Sequence, residues 1–162
     1  MARIVYVNGR YLPYAQAGVH VEDRGFQFAD AVYEVCEVKG GALVDANRHL
    51  ARLERSLGEL KIAAPMSGRA LRHVLSQTIR RNRGRDGLVY LQVTRGEAPR
   101  DFLFPADGGQ PTLVVVARSI DPVRTAAKAR VGIAVKSVPD HRWGRCDLKT
   151  VMLLPAALAK ET

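Results

Sequence analysis

The sequence predicts an α+β fold: a small N-terminal domain of mostly antiparallel sheet with two helices on one face, followed by the beginning of a larger domain. Three observations lead there. The first 44 residues alternate apolar and polar positions in short runs divided by turn residues. Two segments, 45–61 and 67–81, then repeat apolar residues at helical spacing. Two strongly apolar runs, 88–94 and 112–117, follow them. With 47% of its 162 residues apolar, the chain has enough material for a core, which excludes disorder and fibrous repeats.

Taken in order, Arg3 to Val7 and Arg10 to Leu12 flank Asn8-Gly9, the signature of a hairpin with a type I′ turn. Ala31 to Val38 alternates again, and Lys39-Gly40-Gly41 returns the chain through Ala42-Leu43-Val44. The first helix is expected from Asp45 as N-cap, with Leu50, Leu53, Leu57 and Leu60 on its inner face. The second is expected after Ser67, with Leu71, Val74, Leu75, Thr78 and Ile79 inward and Gly84 as its stop. Its end carries Arg80, Arg81, Arg83 and Arg85, which a nucleic-acid backbone could use; without interleaved aromatics they read as a solvated helix end, and no nucleic-acid partner is expected.

Residues 119–130 are polar and alanine-rich and read as a linker, after which Val131 to Val138 is expected to be a strand opening a second unit. Pro155 suits the first turn of a last helix running to Thr162 with no capping residue, so the chain is expected to stop inside its second domain. The domain boundaries are therefore 1–118, 119–130 and 131–162.

No apolar run approaches the roughly 18 to 20 residues of a membrane span, and Ile4 to Val7 is too short for a signal peptide. A soluble, cytoplasmic protein without membrane partners is expected. Cys36 and Cys146 are too far apart to suggest a disulfide framework or a metal-ligand pair, and no metal is expected; Cys36 reads as a small apolar strand residue. The net charge of +9 favours anionic partners, and its arginines suit phosphates or carboxylates.

Four segments give the chain its family likeness: Asp23-Arg24-Gly25-Phe26-Gln27-Phe28-Ala29-Asp30-Ala31-Val32-Tyr33-Glu34-Val35; His49-Leu50-Ala51-Arg52-Leu53 with Ser56; Tyr90-Leu91-Gln92-Val93-Thr94-Arg95-Gly96 with Pro99-Arg100; and Arg142-Trp143-Gly144-Arg145-Cys146-Asp147-Leu148-Lys149. In that order and spacing they resemble the fold-type IV pyridoxal-phosphate enzymes, the class IV aminotransferases, and most closely the D-amino acid aminotransferases. The resemblance implies pyridoxal 5′-phosphate as cofactor and ping-pong transamination between a D-amino acid and a 2-oxo acid. It further implies a homodimer with sites near the subunit interface, or pairing with the missing remainder of the fold, and residues 131–162 as the start of the large cofactor-binding domain; this chain alone is expected not to be a competent enzyme. An aminodeoxychorismate lyase and a branched-chain aminotransferase share the fold and remain alternatives, as does, from another class, a non-catalytic fragment or basic anion-binding module.

By resemblance, Lys149 is the Schiff-base lysine, an amine that must be held at a fixed point beside the cofactor aldehyde. Arg52 would grip the cofactor phosphate, although periodicity alone puts Arg48, Arg52, Arg55 and Glu59 on a solvated polar stripe. His49 would sit on the cofactor side. Tyr33 and Arg100 resemble two members of a trap for the substrate carboxylate, where the family often adds a histidine and this chain has Phe102. On pattern alone, Tyr33 is a core aromatic and Arg100 an exposed loop charge.

Overall fold

A computed structural model describes residues 3–161. One six-stranded antiparallel sheet organises them: β1 (Ile4–Val7), β2 (Arg10–Pro13), β3 (Ala31–Lys39), β4 (Ala42–Leu43), β5 (Gly87–Thr94) and β6 (Thr112–Ser119), in the spatial order β2-β1-β6-β5-β3-β4. Asn8 and Gly9 both have positive φ, 42° and 90°, as a two-residue type I′ hairpin requires, and they pair Val7 with Arg10.

A short α1 (Arg24–Phe28), capped by the Asp23 side chain at Gly25 N, leads into β3. One face of the sheet is covered by α2 (Ala46–Glu59) and α3 (Gly68–Arg81). Alternation delivers Val32, Cys36 and Val38 from β3, Val89, Leu91 and Val93 from β5, and Leu113, Val115 and Ala117 from β6 to that face, where Leu53, Leu57, Leu71, Leu75 and Ile79 of the helices meet them. Cys36 is fully buried there, and burial pushes its thiol up to about 11, so it packs as the apolar residue the sequence suggests.

The caps differ in part from expectation. The Ser67 side chain caps α3 at Ala70 N as its sequence predicts. Asp45 stands at the N-cap of α2 in a left-handed conformation, φ 50°, and makes no side-chain cap; its backbone carbonyl instead takes the N–H groups of Arg48 and His49. The left-handed residue after α3 is Arg83, φ 53°, rather than Gly84, because Asn82 is held by its side chain to both backbone groups of Ile4, which fixes the exit of the helix against β1.

The chain past residue 118 differs more. Within 119–130, read as a linker, the chain forms α4 (Pro122–Val131), capped by Asp121 and with every residue exposed. Residues 131–138 form no strand: Val131, Ile133 and Val135 are all more than 80% exposed, and among the described residues no strand lies beside them to pair. The last helix, α5 (Leu154–Lys160), ends at Lys160 with Glu161 as its C-cap, so it stops short of the expected end at Thr162, which itself lies outside the described residues. Among the described residues no helix is long and apolar enough to cross a membrane.

Candidate active site

β4 is only two residues long and pairs with the far end of β3, so the near end of β3 has an open edge. Residues 149–151 fill it. Tyr33 N donates to the Lys149 carbonyl at 3.0 Å, Val151 N donates to the Ala31 carbonyl at 3.3 Å, and Val32 and Thr150 form an antiparallel bridge. Leu148 and Thr150 are buried on either side. Alternation along an extended segment then turns the Lys149 side chain the other way, where its Nζ stands 4.1 Å from the centre of the Tyr33 ring.

That amine faces an open cleft of about 230 Å³, lined by Tyr33, Arg52, Trp143, Lys149, Met152 and Ala156 among others. The volume is below the roughly 300–1,000 Å³ of closed small-molecule sites, so these residues form one wall of a site rather than an enclosure. Tyr33, Arg52 and Lys149, three of the residues singled out in the sequence, meet here. Two others do not. His49 is absent from the lining and reaches the cleft only through a shared carboxylate, and Arg100 is exposed on the loop after β5, its guanidinium 5.1 Å from the centre of the Phe28 ring.

The shared carboxylate is Glu34, which stands in the first motif of the sequence but had no role assigned to it there. It is fully buried on the apolar face of β3, where Oε1 and Oε2 take Arg52 Nε at 2.5 Å and Nη2 at 2.7 Å, and Oε2 lies 2.8 Å from His49 Nδ1. Burial pushes the Glu34 carboxyl up, and the bonds to Arg52 and His49 outweigh it, leaving the group below its ordinary value; the same contact raises Arg52. A signal was present: alternation puts Val32, Glu34, Cys36 and Val38 on one face, and a carboxylate in a buried register requires a cationic partner.

Arg52 lies on an exposed stripe, as its periodicity implies, its side chain about half exposed, but that stripe is engaged rather than merely solvated. Arg55 of the same stripe binds the Asp147 carboxylate and backbone carbonyl, and Glu59 takes Arg145, so helix α2 fastens the segment leading to Lys149. Arg145 also binds Asp147, holding that carboxyl down at about 2. Helical spacing identifies a polar face correctly but says nothing of a distant loop that uses it.

The wall carries an amine fixed by backbone bonds and a guanidinium oriented by a buried carboxylate, a donor set that would fit a cofactor bearing an aldehyde and a phosphate. Among the described residues no carboxylate pairs with Lys149.

Comparison with known proteins gives the same direction. A family model described as amino-transferase class IV matches residues 31–162. A D-alanine aminotransferase of Bacillus licheniformis is 36% identical over 157 residues, covering 97% of this chain and 54% of the relative. Among solved structures, 4-amino-4-deoxychorismate lyase from Pseudomonas aeruginosa superposes with a TM-score of 0.75 at 26% identity, over 97% of this chain and 56% of that one. A branched-chain amino acid aminotransferase from Escherichia coli gives 0.69 at 18% identity, over 74% and 42%, a likeness of fold alone. The chain thus spans about half the length of the curated relatives it matches. With the family model over residues 31–162 and these matches in agreement, the chain belongs to the class IV aminotransferases.

Proposed function

We propose that this chain carries the lysine wall of a pyridoxal-phosphate transaminase moving an amino group between a D-amino acid and a 2-oxo acid. The observation that carries this reading is Lys149, fixed by backbone bonds at the edge of β3 with its amine over Tyr33 and Arg52 in the same cleft. The D-amino acid preference follows the curated relatives rather than the fold, which lyases and branched-chain enzymes share. In this reading residues 1–118 form the small domain, 119–130 a connection that is helical over most of its length, and 131–162 the opening of the cofactor-binding domain.

Bound at this wall, pyridoxal phosphate supplies an aldehyde for an amine and a ring that takes up the electron pair left at the substrate Cα. Lys149 would be the amine placed at that aldehyde and, when free, the base that carries the Cα proton. Arg52, its fork oriented by Glu34, holds phosphate with the nitrogen that Glu34 leaves over, and His49 steadies Glu34 from the other side. Tyr33 supports the Lys149 amine with its ring face and offers its hydroxyl to the substrate carboxylate. Arg100 lies outside the cleft of its own chain, and in this reading a second copy of a homodimer brings it to the carboxylate trap.

Borohydride reduction of the cofactor-loaded protein followed by peptide mapping should place the pyridoxyl group on Lys149, and Lys149→Ala should abolish transamination. Adduct on Lys136 or Lys160 overturns the assignment. A panel of D- and L-amino acids with a 2-oxo acid acceptor tests the substrate class: turnover confined to L-branched donors, or release of pyruvate from aminodeoxychorismate without transamination, replaces it with the branched-chain or lyase reading.

A further inference from the structure

Apart from the cleft, the structure buries a second set of charges. Arg24 of α1 and Arg95, just past the end of β5, have side chains 3% and 2% exposed and share one carboxylate, Asp30. Arg24 Nε donates to Asp30 Oδ2 at 2.8 Å; Arg95 Nε donates to the same oxygen at 2.7 Å and its Nη2 to Oδ1 at 3.0 Å. Two buried cations on one anion leave a positive charge over, which a protein interior tolerates only if other polar groups answer it.

Four backbone carbonyls do so. Arg95 donates to Leu60, the C-cap of α2, and Lys61 just past it, at 2.8 and 2.9 Å, close to the negative end of the helix. Arg24 Nη1 donates to Asp101 and Leu103, at 2.7 and 3.3 Å. Ring faces complete the shell: Phe104 lies 3.8 Å from the Arg95 guanidinium, and Phe28 4.7 Å from that of Arg24.

Half of this compensation comes from a loop that has little else to hold it. Every residue of 99–104 is exposed, Phe102 at 84% and Leu103 at 76%, so apart from the Phe102 and Phe104 rings on Phe28 and Arg95 little packing fixes its shape. The carbonyls that Arg24 grips belong to residues 101 and 103, on either side of Phe102 and immediately after Arg100. Phe28, beneath Arg24, also carries the Phe102 ring at 5.7 Å and the Arg100 guanidinium at 5.1 Å. On the reading above, in which Arg100 receives the substrate carboxylate, we propose that Arg24 is the positioning residue for Arg100 and Phe102: the charge left over in the buried pair of arginines ties down the loop backbone, and the loop then presents both side chains in one arrangement.

The test uses the full-length, cofactor-loaded protein with Arg24→Lys, which keeps the charge but lacks the fork that reaches Asp30 and two carbonyls together. Amide hydrogen exchange at Leu103, whose N–H bonds Asp101 Oδ1, should quicken about tenfold and KM for the amino donor rise roughly fivefold to tenfold, as expected for one lost charge-assisted bond, with kcat within about twofold and cofactor affinity unchanged. If Arg24→Lys does not fold, Asp101→Ala serves instead, since it removes the bond from Leu103 N to Asp101 Oδ1 without entering the buried set and should give the same KM rise. Unchanged exchange at Leu103 in folded Arg24→Lys overturns the proposal. So does a loosened loop with unmoved KM, provided Arg100→Ala raises KM in parallel. If Arg100→Ala leaves KM where it was, the carboxylate reading itself has failed and takes the proposal with it.

Discussion

A carboxylate in the buried face of a strand is the residue on which the cleft turns. Glu34 displaces an apolar side chain from the core face, yet its oxygens are fully occupied by Arg52 and His49, so the position trades packing for the orientation of a guanidinium. Glu34→Gln keeps the shape and removes the charge. It should cost about 1–2 kcal/mol of stability, at the low end for a buried pair because the Arg52 side chain is half exposed and water screens it. Cofactor affinity should fall with it, because Arg52 loses its orientation, whereas Glu34→Asp should restore part of that affinity. The pH dependence has a definite sign. Glu34 is held below its ordinary value in the folded protein, so its stabilisation is complete above the unfolded carboxyl value of about 4.3 and is lost as pH falls through the lower folded value. Thermal melts between pH 2 and 6 should therefore show a shallower acid decline in Glu34→Gln than in the parent; parallel declines would mean that the carboxyl is not held down in the fold.

At the scale of elements, the open edge of β3 determines where the lysine stands. A longer β4 would occupy the edge, and the bonds between 31–33 and 149–151 would not exist. Val151→Pro deletes the N–H that bonds the Ala31 carbonyl, whereas Val151→Ala keeps it. The proline variant should capture pyridoxal phosphate roughly fivefold less well, about the worth of one backbone bond, while the alanine variant behaves as the parent. Equal capture by both would show that the edge pairing does not hold Lys149. The contrast between this edge and the rest of the sheet also explains what the sequence discloses. Hairpin, sheet strands, the Ser67 cap and the inner faces of α2 and α3 are local patterns of period 2 or 3.6 and are legible in the residues themselves. The Lys149 pairing joins residues more than a hundred positions apart, and the binding of Arg55 and Glu59 to residues 145 and 147 likewise depends on tertiary proximity. The family resemblance supplied Lys149, Arg52 and Tyr33, which do meet, but it carried no information on Glu34 as their support. Residues 131–138 depart from expectation for the complementary reason: an apolar alternation is a strand only where a neighbouring strand receives it.

Across the whole molecule, cohesion falls steeply past residue 119. The six strands and two long helices enclose a continuous core from Tyr6 to Ala117, whereas α4 and α5 bury no residue and Val131, Ile133, Val135, Leu154 and Leu158 stand 62–89% exposed. Leu148 and Thr150, buried at the β3 edge, are the exception and mark how far the core reaches into the second unit. Since hydrophobic burial is the dominant favourable force and α4 has none to draw on, its ten residues fall short of the roughly 12–15 that even a good isolated helix needs in water. Hydrogen exchange on the chain should accordingly divide it in two. Amides of 71–79, 89–93 and 113–117 should exchange only through global opening, those of 149–151 at an intermediate rate set by the edge pairing, and those of 122–140 within seconds. Slow exchange over 131–138 would show that this segment has a strand partner after all, and slow exchange over 122–131 that the exposed side of α4 is covered in solution. Rapid exchange at 149–151, equal to that of 122–140, would separate Lys149 from the core and remove the physical basis for its fixed amine.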